Sequence, residues 1–403
     1  MKKVLIVGGG NYQLPLIQRL LEKGNFVYCV DRDPKAPGFK IATGFRILDV
    51  LDRNGCLDYA KEIGIDAVMT YGATITLPTV SYIGEKMGLP ALPMKTAEIS
   101  KDKFLIKSCL AEHGCNIKGK FFKMDSMEDS LLYSFEYPCV IKPCDGSGSV
   151  GVSVANNESE LDNALQYAIN WARFGEIYAE SYIPGEEYSV EVFVDHDEIH
   201  VYAIVKTTFV KAGVDNESIS YGHRTPSGLS EMVENAICEE VTKAVQALGV
   251  TIGSVNFDVI LSKEDGKPYI IDCGIRIGQN LIASHIVPLS RGVNELDNII
   301  ALALREDIDT KPKQKKCIAT RLLIFNPGTI REIKPMDDLI GQNGVVDVIL
   351  RKGVGSIQGV YVDKSDNCGW VITQGDTPDE AELRAEKAKQ VLREYFVIDP
   401  VGR

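Results

Sequence analysis

The stretch VIKPCDGSGSVGVSVAN, from Val140 to Asn156, decides how the rest of the chain is read. An apolar run ends in Lys142, small residues follow, and a second strand-like run comes after them. Glycines between two β-strands form a flap whose unpaired N–H groups can fold over a polyphosphate, with Lys142 as a point charge. It is not a Walker A loop, in which the lysine follows the glycines and a helix opens. Taken alone, the same residues also make an ordinary glycine hairpin.

A second stretch, GSVNFDVILSKEDGKPYIIDCGIRIGQN from Gly253 to Asn280, reads as two strands joined by KEDGK. With the turn centred on Asp265, Asp258 and Asp272 face each other across the hairpin, and Asn256, Gly274 and Arg276 share their face. Opposed carboxylates destabilise a sheet unless a cation lies between them. Magnesium suits such a pair, because it takes one or two carboxylates and fills its shell with water and phosphate oxygens. Arg276 beside it can clamp a developing anion. The plain alternative is a solvated hairpin face. In a third stretch, YAESYIPGEEYSVEVFV, Glu180 and Glu187 bracket a Pro-Gly turn where an adenine can slot between two sheets and acidic groups can accept from ribose hydroxyls.

The length of 403 residues exceeds what a single core serves, so two or three packed units are expected. A net charge of -12 argues against a nucleic-acid binder, which needs a basic stripe. The start MKKVLIVGGG is too short for a signal peptide and no run reaches the length of a membrane span, which reads as cytoplasmic. Ten cysteines are scattered with no C-x-x-C pair and read as buried thiols. Strand and helix patterns alternate through the first ninety or so residues as in a parallel βαβ layer. Prolines then interrupt the pattern and Ser100 is expected to cap a new helix. Longer alternating strands follow, as in EYSVEVFVD and EIHVYAIVKTTFV. After Asp309, TKPKQKK reads as an exposed link into short strands, and TPDEAELRAEKAKQVLREYF as a closing amphipathic helix. The start VLIVGGGNYQLPL fits G-x-G at Gly8 and Gly10, but its third glycine position holds Gln13, so a plain strand-to-helix turn outweighs a dinucleotide site. Asp31 reads either as a ribose ligand or as a turn former.

The lysine and flap, the ES-Y-I-P-G-E-E hinge, and the paired carboxylates before an arginine, in that order, resemble the ATP-grasp superfamily of carboxylate–amine ligases. The closest likeness is to the bacterial L-amino acid ligase branch and to carbamoyl-phosphate-synthase-like proteins. The resemblance implies an N-terminal open α/β domain (1–95) and an ATP-grasp domain (96–300), with a flap-bearing lobe over about 96–178 and a metal-bearing lobe over about 179–300. A small C-terminal subdomain (301–403) follows. It implies that Lys103 and Lys142 hold nucleotide phosphates and that Gly146, Ser147, Gly148, Ser149 and Val150 form the flap. Glu180, Ser181, Tyr182 and Ile183 line the adenine and Glu187 holds the ribose. Asp258 and Asp272 carry Mg2+, with Mn2+ as the alternative ion, and Arg276 contacts the transferred phosphate and the acyl intermediate. Two departures stand out: E-x-N-x-R is here DCGIR, and R-x-G-G is RIGQ. Gly274 removes an amide ligand, for which a water is the expected substitute, and Gln279 with Gly278 falls in the acyl pocket. His223, in the YGHRTPSG loop, matches a position near the acceptor.

The implied activity is amide or peptide bond formation through an acyl phosphate, with ATP as cofactor and a small carboxylate and an amine as partners. Neither nucleic acid nor membrane is implied, and a homodimer is compatible. Lys142 is expected in a surface cleft. Two rivals are a nucleotide-binding regulatory module that has lost catalysis through DCG, and a nicotinamide oxidoreductase resting on GGGNYQ alone.

Overall fold

The structure, a computed structural model, describes residues 1–146, 148, 150–196, 198–212, 217–361 and 366–400. Short apolar runs build the first sheet, as suits strands covered on both faces. Strands β1 (Lys3–Val7), β2 (Phe26–Asp31), β3 (Gly44–Ile47) and β4 (Ala67–Met69) pair in parallel in the order β3-β2-β1-β4. Helices α1 (Leu14–Glu22), α2 (Arg53–Ile63) and α3 (Leu77–Met87) cover it. Leu16, Ile17 and Leu20 pack with Val4 and Ile6 on one face, and Leu57, Ala60 and Ile83 with Leu5 and Val7 on the other.

The glycine turn after β1 is closed by the chain itself. The buried Gln13 lies against Gly8, where a Cβ would come within 3.2 Å of its side chain, and its amide donates to the Tyr71 carbonyl at 2.6 Å. Asp31 accepts from the Gly9 and Asp33 N–H groups at 2.8 and 2.9 Å. Both side chains serve the turn, in line with the plain strand-to-helix reading.

Next come α4 (Met94–Ile99) and α5 (Lys103–Glu112). The helix start expected at Ser100 falls later. Asp102, in an extended conformation, accepts from the Phe104 and Leu105 N–H groups at 2.8 and 3.1 Å and so satisfies two orphan donors. Ser100 instead closes α4, its hydroxyl donating to the Ala97 carbonyl at 2.7 Å.

A small antiparallel sheet follows, made of β5 (Phe121–Met124), β6 (Cys139–Pro143), β7 (Ser153–Ala155) and β8 (Ile177–Ser181) in the order β5-β8-β6-β7. Helix α6 (Glu158–Trp171) packs on it through Leu161, Ala164, Leu165 and Ala168. The flap joins β6 to β7.

The largest sheet begins with β9 (Gly185–Asp195), β10 (Glu198–Ala212) and β11 (Glu217–Thr225). After α7 (Glu231–Leu248) come β12 (Ile252–Ser262), β13 (Pro268–Gly274), α8 (Val287–Arg291) and α9 (Glu295–Leu304). The remaining elements are β14 (Cys317–Leu322), β15 (Gly328–Ile333), β16 (Val345–Leu350), β17 (Ile357–Gln358), β18 (Gly369–Gly375), α10 (Pro378–Leu392) and β19 (Phe396–Pro400). Eight strands form one sheet in the order β13-β12-β9-β10-β11-β14-β18-β16, and β17-β15-β19 form a three-stranded one. Alternation decides what each face of the large sheet meets. Val190, Val192, Val255 and Phe257 pack against Val241, Ala244 and Val245 of α7, while Phe193, Tyr202 and Val205 pack against Ile286, Val287 and Leu302 around α8 and α9. Among the described residues no helix is long and apolar enough to cross a membrane.

Candidate active site

The β12–β13 hairpin sets Asp258 opposite Asp272 and Asn256 opposite Gly274. On its other side β12 pairs with β9, which places Ser189 beside Asp258 and Glu191 beside Asn256. The result is a polar stripe across three strands. The pairing shifts between Asp258 and Val259, which leaves Ile271 without a partner across the hairpin. Such a bulge turns backbone groups out of the ladder, and here the freed carbonyl has a use: Lys142 Nζ donates to the Ile271 oxygen at 3.1 Å.

The lysines arrive from two other elements. Lys103 and Lys107, one turn apart on α5, point the same way. Lys103 Nζ grips both carboxylate oxygens of Asp272. Lys107 Nζ reaches Glu180 Oε2 at 2.9 Å and the Ile270 carbonyl at 3.1 Å. Lys142, on β6, meets the other Glu180 oxygen and lies 5.7 Å from the centre of the Tyr178 ring. Lys142 is therefore buried, at 7% exposure, and not in an open surface cleft. Burial alone lowers an ammonium's pKa, but Glu180, Tyr178 and Asp272 outweigh it and hold Lys142 above its usual range. In the reverse sense burial raises the Glu180 carboxyl, and Lys142 and Lys107 bring it below the usual value. At Asp272 burial is again overcome, by Lys103 and Lys142, to about 2.

These contacts correct one expectation. The repulsion between Asp258 and Asp272 does not wait for a metal, because Lys103 already neutralises Asp272 and the Ser189 hydroxyl donates to Asp258 at 3.0 Å. Replacing Asp272 by Asn thus strips Lys103 of its counter-charge and does not relieve strain. No group of three or more Asp, Glu, His or Cys placed to hold a metal ion occurs among the described residues. Two carboxylates on neighbouring strands beside a hydroxyl fit Mg2+, which leaves most of its shell to water and phosphate.

Beyond β13 the chain turns sharply. Arg276 Nη1 donates to the Ile277 carbonyl at 2.9 Å, and its guanidinium lies over Gly274, where a Cβ would be 3.2 Å from Cζ. The space beside Gly274 is thus taken by Arg276 itself. Gly278 is required by a closer approach: its N–H donates to Glu191 Oε1 at 2.7 Å, and a Cβ there would fall 2.0 Å from the other carboxylate oxygen. That second oxygen accepts from the Asn256 amide at 2.8 Å. Glu191 is fully buried beside Glu295, and burial, offset in part by hydrogen bonds and Arg276, raises its pKa to about 7. Burial and the Glu191 charge push Glu295 well above the carboxylate range. Gln279 does not point its amide into open space, since Nε2 donates to the Gly72 carbonyl at 3.0 Å.

The remaining expected residues lie around this core. Gly146, Gly148 and Val150 lie in the β6–β7 connection, and Ser147 and Ser149 fall outside the described residues. Glu180 and Ser181 end β8, while Tyr182 and Ile183 cross from the small sheet to the large one. Ser181 holds the preceding loop, its hydroxyl accepting from the Lys120 N–H at 3.0 Å. Glu187 sits on β9 opposite Ile260. His223 is not in a loop; it is a buried residue of β11 whose N–H donates to Thr320 Oγ1 at 3.1 Å. It stands four strands from β13, about 19 Å at the usual strand spacing measured along the sheet. Lys107, Ser189 and Glu191 were missed, although helical spacing from Lys103 and period-two spacing from Glu187 pointed to all three.

Residues 100–279 match the ATP-grasp domain family and residues 321–395 match L-amino acid ligase C-terminal domain 2. The chain is 27% identical over 282 residues to a formate-dependent phosphoribosylglycinamide formyltransferase of Bacteroides thetaiotaomicron, covering 66% of this chain and 68% of the relative. It is 25% identical over 291 residues to a D-alanine–D-alanine ligase of Bacillus anthracis, covering 66% and 92%. Among solved structures, an L-amino acid ligase from Bacillus licheniformis superposes with a TM-score of 0.81 at 24% identity, covering 100% of this chain and 99% of that one.

Proposed function

This chain belongs to the ATP-grasp superfamily of carboxylate–amine ligases, and on that premise we propose that it activates a small carboxylic acid with MgATP and couples it to an amine. The observation that carries the reading is the meeting of two lysines from separate elements, Lys103 of α5 and Lys142 of β6, on the Ile271–Asp272 segment of the carboxylate hairpin. Cations and a metal-fitting acidic pair in one place are what phosphoryl transfer needs, since its chemistry rests on positioning and charge neutralisation.

In this reading the substrate carboxylate attacks the γ-phosphorus, the bond to the bridging oxygen breaks, and its electron pair leaves with ADP. The amine then attacks the acyl carbon, phosphate departs, and the amine proton is lost to solvent. The flap from Gly146 to Val150 covers the phosphates, Lys103 and Lys142 neutralise them, and the crossing from Glu180 to Ile183 lies against the adenine. The Glu180 carboxylate is committed to two lysines, so its contribution there is through the backbone. Glu187 takes the ribose, and Asp258 and Asp272 would hold Mg2+ or Mn2+, which would supply charge neutralisation at the phosphates. Arg276 faces the acyl phosphate and Gln279 supports the pocket beside it.

The test is ADP release over a panel of amino acids, hydroxy acids and sugar acids, with hydroxylamine as amine. Arg276→Ala is expected to lower turnover by about 10²–10³ with little change in ATP affinity, because a donor aimed at the transition state acts on kcat. Arg276→Lys rescues little, for want of a two-pronged contact. A protein that releases no ADP with any acid, or an Arg276→Ala variant that keeps full turnover, overturns the reading.

A further inference from the structure

A half-open pocket of about 120 Å³ lies between the C-terminal end of β4, α3, the β12–β13 hairpin and α9. A single water needs roughly 10–15 Å³, and an apolar cavity of about 150 Å³ takes up benzene. This space is therefore many times a packing defect and slightly smaller than a benzene site. Its walls are mainly aliphatic, with Val80 of α3, Leu92, Ile275 and Ile299 among them. Five polar side chains interrupt them: Thr70, Tyr71, Ser81, Ser254 and Arg276. Ser81 is 0% exposed, and its hydroxyl has no hydrogen-bond partner among the described residues; Ser254 instead lies within reach of the buried Glu295 carboxyl. Buried hydroxyls are nearly always satisfied, so the Ser81 hydroxyl is a place where an ordered water completes the wall beside an apolar occupant. The rim is fixed from two sides. Gln13 holds the Tyr71 carbonyl at 2.6 Å and Gln279 holds that of Gly72 at 3.0 Å.

The geometry points to this cavity as the seat of the carboxylate substrate's side chain, an apolar group of about four to six carbons, with the carboxylate turned toward Arg276. The inference rests on the ligase reading for the reaction at Arg276, and it adds the substrate class: an aliphatic carboxylic acid of limited size. Volume sets the preferred length, because a longer chain runs past the aliphatic wall and out of the pocket mouth with no further burial, and a shorter one leaves that wall unfilled.

The probes are acetate, butyrate, 3-methylbutyrate, hexanoate and decanoate, together with glycine, alanine, leucine and 2-aminodecanoate. Each is run for ADP release with hydroxylamine and, separately, for calorimetric binding. The expected KM minimum falls at 3-methylbutyrate and hexanoate or at leucine. Ala303→Leu, which fills the cavity from α9, should raise that KM at least tenfold while acetate and glycine change less than twofold. Val80→Ala, which enlarges it and guards against a misfolded first variant, should move the optimum toward longer chains. A KM independent of chain length, or an order of preference unchanged in both variants, overturns the assignment. Size-selective binding without ADP release from any acid supports the cavity and refutes the ligase reading instead.

Discussion

Lys142 illustrates how a lysine charge is kept inside a protein. Its ammonium is held by a Glu180 oxygen and by the carbonyl that the Ile271 bulge releases, and Lys107 takes the second Glu180 oxygen. Removing Lys142 leaves Glu180 buried with half its counter-charge. Lys142→Ala is therefore expected to cost about 1.5–3 kcal/mol even without nucleotide, the range for a hydrogen bond to a charged group, and less than the full loss of a buried pair because Lys107 remains. Denaturant midpoints of the nucleotide-free proteins measure it, and an unchanged midpoint refutes the burial account. Sequence reasoning located Lys142 and Glu180 but not their union. Which side chains share an interior depends on how two sheets close on one another, and no local pattern encodes that.

At the scale of elements, β9 and α9 are joined through Glu191 and Glu295, both wholly buried. Tyr71 and Arg276 face Glu191, Tyr202 faces Glu295, and hydrogen bonds from Gly278 and Asn256 reach Glu191. Both pKa values stand above the ordinary carboxylate value, Glu191 at about 7. The folded chain therefore keeps protons that the unfolded chain gives up from about pH 4.3 upward, and stability falls as pH rises through about 7. Glu295→Gln should flatten that decline, seen as a smaller loss of melting temperature between about pH 4.5 and 7; an unaltered slope excludes the pair as its source. Asp272, held at about 2, acts in the opposite direction and only in acid, its contribution disappearing as pH drops from about 4 through about 2. The β12–β13 hairpin was legible from its turn and alternating strands, yet the pairing beside the turn, Leu261 with Pro268, would carry Asp258 opposite Ile271, and it is the bulge that brings Asp272 there. That bulge was not legible, since an extra Ile in YIID leaves the apolar pattern looking continuous. The start of α5 was misplaced by two residues because Ser100 and Asp102 are both good caps, and only backbone geometry chooses between them.

For the molecule as a whole, the class of each region was readable from its periodicity, whereas the order of strands in the large sheet was not. Strand β14 sits next to β11, pairing Ile318 through Arg321 with Gly222 through Thr225, and brings β18 and β16 with it. The buried Arg321 then ties β14 to Glu382 and Glu386 of α10. A chain cut after residue 310 would consequently carry a bare strand margin along β11, with its N–H and C=O groups unpaired and its apolar face uncovered. Such a margin templates self-association. The truncated protein is expected to aggregate, visible as rising light scatter at micromolar concentration, and a separate polypeptide of residues 311–403 should return it to a monodisperse complex by supplying β14. If the cut chain stays monodisperse alone, the strands beyond β11 are an attachment and not a structural necessity. On that expectation the last quarter of the sequence shields a margin of the large sheet that would otherwise recruit other chains, and loss of it should appear first as poor folding yield.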